Sequence, residues 1–392
     1  MFRKIIFWSH LCLGLAAAIG ILAMSITGVL LAYEHQMEHW ADKKTYADQI
    51  DASGTPLAVD ELLEAARSSV EWNPLGLTIY KDPAEAAFLG GNPREGLQTY
   101  INPYTGEDLG PGNRAVQTFF GETTRWHRWF DVDGDARVFA GAVIDISNVV
   151  FLLLIATGIY IWLPPMMRWS LVKARLWFTP ARNSKARDFN WHHVFSVWAL
   201  IPLFVIVFSG ARISYQWPDD LVRFLFPQEA QAVAETEQSE AQAPLAEVAN
   251  LADAQLLPDG YPLAVFVADA QQRYPNWKSI ELGMPRGDSS QLSMTVAMGE
   301  GRQPQKEVGL QYNRQAGTLE QVTTFGDRST ADRVLGLMLP LHTGEALGLA
   351  GQTLALLASV ASILLVYTGV ALSYRRLIQP LLAKRAASAS RA

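Results

Sequence analysis

Seven histidines are the residues of this 392-residue chain best suited to chemistry: His10, His35, His39, His127, His192, His193 and His342. All lie at or close to the ends of apolar stretches, where an imidazole is costly unless something partners it. Two pairs are equivalent under an internal repeat. His10 precedes Gly28 by 18 residues and Tyr33 follows; His192 precedes Gly210 by 18 residues and Tyr215 follows. His127 and His342 each stand ahead of an apolar run that carries Thr157-Gly158 or Thr368-Gly369. A group on the repeat axis is met by one histidine from each half. Haem iron used for electron transfer takes two such axial ligands. The chain has no Cys-x-x-Cys-His, so covalent attachment is excluded and the haem is b-type. Zinc is the competing metal, and it wants three or four converging ligands. No His-Glu-x-x-His, nucleophile elbow, phosphate loop or nucleotide fingerprint occurs, and no nucleic-acid partner is expected.

His192 and His193 sit about 100° apart on a helix, so both cannot face one iron. The expected inner pair is His10 with His192, and His193 is the alternative. The expected outer pair is His127 with His342, and His35, which ends the first span at its outer surface, is the rival. Arg125 and Arg128 flank His127, and Arg212 lies near the outer end of the third span. Guanidinium groups there suit the carboxylates of a haem. Cys12, the one cysteine, reads as a small buried hydrophobe.

These residues need a membrane to position them. The chain is 49% hydrophobic and 18% charged, against about 25% charged in soluble domains. Four segments have the roughly 20 apolar residues that a span requires: 8–33, 138–163, 192–215 and 349–373. The first is too long for a signal-peptide core and reads as an uncleaved helix. Arg3 and Lys4, the six Arg and Lys of 168–187, and the basic residues after 373 fall on one side, which the positive-inside rule makes the cytoplasm. Of the 38 acidic residues, 35 lie in 34–136 and 216–341, so those segments are placed outside.

The chain therefore divides as span 1 (1–35), first outer domain (36–125), outer histidine segment and span 2 (126–165), basic loop (166–190), span 3 (191–217), second outer domain (218–340), outer histidine segment and span 4 (341–376), and tail (377–392). Each outer domain opens on Pro-Leu-Ala-Val, at Pro56 or Pro262, and an amphipathic helix follows. Strand-like runs come next at 77–80, 86–89 and 97–101, and again at 279–282, 291–298 and 307–312. Each set ends in a turn from Asn102 to Gly106 or from Asn313 to Gly317. Both copies start on the same side, so the repeat is parallel. The stretch 228–256, rich in Ala, Gln and Glu, reads as an acidic linker.

The repeated span, the Asn-x-x-x-Gly turn, Trp126-His127-Arg128-Trp129 and Leu341-His342-Thr343-Gly344 together resemble the PepSY-associated transmembrane-helix family of bacterial inner-membrane proteins. The likeness covers nearly the whole chain. It departs in the second turn, which lacks the Pro-Tyr-Thr-Gly form, and in the doubled His192-His193. The resemblance implies a four-helix transmembrane bundle with two periplasmic α+β PepSY-like domains and both termini cytoplasmic. It extends to the group that holds the di-haem ferric-siderophore reductases of ferrioxamine type. That implies two haem b and reduction of a ferric siderophore, releasing Fe(II). The acidic outer segments favour neutral or cationic hydroxamate complexes. Quinol or a cytoplasmic flavoprotein is the expected electron donor, and membrane lipid the surrounding partner. The alternatives are a siderophore or iron permease, disfavoured because no broken helix pair is expected, and a membrane-anchored PepSY binding or regulatory module.

Overall fold

The computed structural model describes residues 1–92, 95–164, 166–227, 260–284 and 290–383. The linker expected at 228–256 and the tail beyond 383 lie outside the described residues. The chain forms two compact units, one from Met1–Glu34, Phe119–Val222 and Leu337–Ala392, the other from His35–Thr118 and Arg223–Gly336.

In the helical unit, α1 (Phe2–Leu31), α5 (Ala136–Trp162) and α12 (Gly348–Leu377) are long and apolar enough to cross a membrane. Two shorter helices, α7 (Ser184–Trp198) and α8 (Leu200–Ser214), meet at a 67° bend and make a fourth crossing if the pair is one span. The third span is thus broken where a single helix was expected over 192–215. Pro202 sits in the first turn of α8, where its missing N–H costs nothing, but its ring clashes with the carbonyl four residues back, at Trp198. The helix therefore restarts at Leu200 in a new direction. This removes the argument against a permease that rested on unbroken helices.

α1 packs on α5 and α12, while α8 packs on both α5 and α12. Small residues permit the closest approach. A Cβ on Gly20 of α1 would stand 2.3 Å from Ser147 Oγ of α5. Buried polar groups bond across the same packing: Ser25, whose own proton goes to the Ile21 carbonyl, accepts from Ser362 at 2.7 Å, and Gln352 donates to the Ala32 carbonyl at 3.0 Å.

Two further helices precede the later spans, α4 (Arg114–Trp129) and α11 (Thr330–Thr343). Each ends with its histidine, then turns sharply. Phe130 and Asp131 take positive φ after α4, and Gly344 does so after α11. The first turn is held by Arg125, which pairs with Asp131 at 2.5 Å and Asp133 at 3.3 Å.

The sheet unit corrects the expectation of two separate outer domains. Strands β1 (Gly76–Tyr80), β2 (Ala87–Gly90), β3 (Gln98–Ile101) and β4 (Asp108–Gly110) continue into β5 (Ser279–Gly283), β6 (Gln291–Ala297), β7 (Glu307–Asn313) and β8 (Thr318–Thr324). They make one antiparallel sheet in the order β4-β3-β2-β1-β5-β6-β7-β8. The seam is β1 on β5, with Gly76 opposite Gly283, Thr78 opposite Glu281 and Tyr80 opposite Ser279. The halves would otherwise leave β1 and β5 as open edges with unpaired backbone groups, and pairing the two edges removes that liability. Helices α3 (Val59–Ser69) and α10 (Leu263–Arg273) share one core with the sheet, which includes Leu62, Ala66, Leu77, Phe266, Ile280, Leu310 and Tyr312. Both Asn turns form as read. Asn102 Oδ1 accepts from Tyr104 N and Asn313 Oδ1 from Gln315 N, with Gly106 and Gly317 at positive φ.

Asp60 of α3 accepts from Leu263 N and Ala264 N at 2.8 and 2.9 Å, capping α10 of the other half. Removing such a cap costs about 1 kcal/mol. Asp60→Ala is expected to lower the melting temperature of the full chain by a few degrees, and Asp60→Asn by less. Equal melting of all three proteins in a calorimetric scan would contradict this role.

Candidate functional site

Four of the histidines share one local device. Nδ1 of His10 lies 2.9 Å from Thr157 Oγ1, and Nδ1 of His192 lies 2.9 Å from Thr368 Oγ1. Nδ1 of His127 lies 2.8 Å from Thr27 Oγ1; Nδ1 of His342 lies 3.3 Å from Ser209 Oγ and 2.8 Å from the Ile206 carbonyl. Each hydroxyl donates its single proton to the carbonyl four residues back in its own helix: Thr157 to Leu153, Thr368 to Leu364, Thr27 to Ala23, Ser209 to Val205, at 2.6–2.7 Å. With its proton committed there, the hydroxyl can only accept from the imidazole. The Ile206 carbonyl can only accept in any case. Nδ1 therefore carries a proton in all four rings, and in the neutral ring Nε2 keeps its lone pair. That is the tautomer a metal ligand needs, fixed by a partner behind the ring.

Glycine follows each hydroxyl residue. A Cβ on Gly158, Gly28, Gly210 or Gly369 would stand 3.5, 4.0, 3.1 or 3.6 Å from Cε1 of His10, His127, His342 or His192 respectively. The hydroxyl grips one edge of the ring while the bare glycine lets the ring lie against the helix. The helices explain the placement. Thr27-Gly28 is on α1, Thr157-Gly158 on α5, Ser209-Gly210 on α8 and Thr368-Gly369 on α12, one dipeptide for each apolar crossing segment.

The rings pair as well. His127 and His342 have centroids 6.2 Å apart and planes at 74°. Two metal–nitrogen bonds of about 2 Å, with about 1 Å from each nitrogen to its ring centre, bring the centroids to about 6 Å. The outer pair thus fits two axial imidazoles on one iron. His10 of α1 rests against α5 and His192 of α7 rests against α12, and α12 packs on both α1 and α7. Because His127 rests against Thr27 and His10 is on the same helix, the two levels stand about 25 Å apart along α1 at 1.5 Å per residue. Among the described residues no group of three or more His, Cys, Asp or Glu converges, so the zinc alternative has no ligand set there.

The other expected site residues go elsewhere. His193 turns its Nδ1 to the Phe189 carbonyl at 2.8 Å and tilts against the Phe189 ring, so His192 alone faces α12. His35 belongs to the sheet unit and stacks on His39 at 6.5 Å; the partner of His342 is His127. Arg212 pairs with Asp219 at 2.6 Å, and Arg125 holds the turn after α4. Arg128 stands over the Trp129 ring at 4.4 Å, and Arg137 over the same ring at 3.8 Å. Arg137 was not read as a site residue. Nor were Thr27 and Ser209, although a hydroxyl-glycine dipeptide in all four apolar segments was the signal that would have found them.

The sheet unit holds a cleft of about 370 Å3 lined by Tyr80, Tyr104 and Trp277, with α3 of one half and α10 of the other along its side. At its margin His39 Nε2 lies 3.2 Å from Glu85 Oε1. The hydrogen bond to Glu85 raises the His39 pKa above its ordinary value against the opposing effect of burial.

A family model described as the PepSY-associated TM region matches residues 7–376. None of the curated proteins matches the chain.

Two outcomes follow from this geometry. Thr368→Val removes the acceptor behind His192; if that ring ligates a metal, the variant weakens retention of the group ten- to hundred-fold while Thr368→Ser preserves it, and titration of haem onto the protein measures both. The His39–Glu85 pair has a raised folded pKa, so its contribution is full below about 6.5 and fades as pH rises through the raised value. The melting difference between wild type and His39→Gln should accordingly be present near pH 5.5 and absent well above neutrality; a difference that grows with pH would contradict the assignment.

Proposed function

The chain belongs to the PepSY-associated TM region family, and on that premise we propose that it is an inner-membrane electron conduit. In this reading it holds two b-type haems and reduces ferric siderophore outside the cytoplasm. The observation that carries the reading is the fourfold His–hydroxyl–glycine device, which leaves Nε2 as the metal-facing nitrogen of four rings, two of them, His127 and His342, side by side. A bis-imidazole haem supplies one-electron transfer between Fe(III) and Fe(II) with no open coordination position.

The residues of the chain do the rest. His10 and His192 are the inner ligands, His127 and His342 the outer ones. Thr157, Thr368, Thr27 and Ser209 hold each ring in one tautomer and one orientation. The paired glycines keep side-chain bulk away from the rings. Arg128 and Arg137, both held over the Trp129 ring, supply positive charge close to His127 in the sequence. Iron is the cargo. Hard oxygen ligands hold Fe(III) strongly and Fe(II) far more weakly, so a single electron releases it. In the cleft of the sheet unit, Tyr80, Tyr104 and Trp277 offer apolar area to a chelate, and the surrounding segments are acidic, with 35 Asp and Glu against 17 Lys and Arg over 34–136 and 216–341. Such a surface attracts neutral or cationic complexes over polyanions.

One observation favours a second reading. The 67° bend between α7 and α8 is a device that permeases use around a transported ligand. A permease moves the intact chelate and leaves its iron ferric, which separates it from a reductase.

Dithionite-reduced protein, mixed with ferric complexes and followed at the Soret band, tests the proposal. A neutral or cationic hydroxamate complex should reoxidise the protein, and do so faster than a polyanionic catecholate complex at matched driving force and low salt. Absence of reoxidation by any complex would remove the reductase reading. Equal rates would remove the charge argument alone.

A further inference from the structure

The helical unit contains a cleft of about 470 Å3 that the histidine pairs leave unused. Its size falls in the range of small-molecule sites. It is formed by α6 (Trp169–Leu176), the loop that follows, α7 and Leu372 of α12. Asn190 makes this wall rigid. Its side chain donates to the carbonyls of Ala174 and Trp177 at 3.0 and 3.1 Å and accepts from Thr179 N at 3.1 Å. The cleft is therefore preformed.

Its lining is mostly apolar and carries a few polar groups. His193 lines it, and the bond from its Nδ1 to the Phe189 carbonyl leaves Nε2 as the remaining acceptor of that ring. The Phe189 ring lies 4.3 Å from the His193 ring and forms part of the same wall. Lys185 and Arg175 add donors. The surroundings are apolar. Trp169, Trp177, Phe178 and Trp198 are 52–66% exposed next to it, and Trp198 Nε1 donates to the Leu176 carbonyl at 2.8 Å. An aromatic fringe of this kind sits at a membrane–water interface. The mouth is thus reached from lipid.

A ligand that enters from lipid, presents a flat ring to Phe189, donates a hydroxyl to one acceptor and takes donors on another oxygen has the chemistry of a hydroquinone. We propose that this cleft binds the head group of a lipid-soluble hydroquinone, the electron donor of the conduit, with His193 Nε2 accepting a hydrogen bond from its hydroxyl. The inference rests on the conduit reading. The sequence neighbour of His193 is His192, whose ring faces the other way, toward Thr368, so ligand and electron acceptor meet on one helix. Oxidation to the quinone breaks two O–H bonds, releases two protons to the water at this face and delivers one electron to each of two ferric centres. The doubled His192-His193 then has two uses, one ring for the metal and one for the donor.

The test uses the full chain in nanodiscs, with decylubiquinone as the probe and tryptophan fluorescence as the readout. Saturable quenching is expected. His193→Ala and Phe189→Ala should each weaken it about ten-fold, with haem content unchanged as the check on folding. No saturable quenching, or an affinity unchanged in both variants, overturns the proposal. So does quenching that disappears when phosphatidylglycerol is added, with a dependence on Lys185, which would mark a lipid-headgroup site instead. The haem count of the same samples separates this inference from its premise. Two haems without quinone binding overturn the site alone, and quinone binding without haem overturns the conduit alone.

Discussion

A serine or threonine hydroxyl has one proton, and inside an apolar helix that proton goes to the carbonyl one turn back. The architecture of the helical unit follows from this constraint. Thr27, Thr157, Ser209 and Thr368 each make that bond, so each offers the facing imidazole an acceptor and nothing else. The imidazole must then carry a proton at Nδ1, and in the neutral ring Nε2 holds the lone pair. Burial alone would leave the tautomer open and the ring free to rotate. The hydroxyl removes both freedoms before any ligand arrives, and the glycine beside it sets how closely the ring approaches the helix.

Repetition turns one device into two sites. Within each half, one histidine leans on the later span and the other on the earlier one: His10 on α5 and His127 on α1, His192 on α12 and His342 on α8. Pairing across the halves then gives one pair at each level. The sheet unit uses repetition differently. There the two copies meet edge to edge at β1 and β5, with glycines facing at one end of the seam, and Asp60 of one copy caps the helix of the other. Duplicated sequence yields a shared sheet and shared core because an isolated four-stranded half would expose an unpaired central edge.

Much of this was legible in the residues. The matched 18-residue spacing, the Thr-Gly pairs and the Asn turns report constraints that act over a few residues, and they located the turns and the equivalent histidines, while apolar length located three long helices and the apolar run of the bent pair. Four things were out of reach for physical reasons. Strand β8 is an edge with Glu320 and Gln321 exposed, so it lacks the alternation that a half-buried strand shows. Union of the two outer segments into one sheet depends on pairing between residues about 200 apart in the sequence, which local patterning does not encode. The bend at Ala199 was written in Pro202, but the continuous apolar run around it masked the break. The choice of His192 over His193, and of His127 over His35, needed the hydroxyl partners, which lie 100 residues or more away for His127 and His192.

The central claim is that four fixed Nε2 atoms make two bis-imidazole sites. The most direct measurement is haem stoichiometry with a reduced-minus-oxidised spectrum, on the wild type and on His342→Ala. The account predicts two b-type haems per chain with sharp reduced α bands, and loss of one haem, with the other spectrally intact, in the variant. A wild type without haem, or a His342→Ala protein that keeps both haems with unchanged spectra, would contradict it.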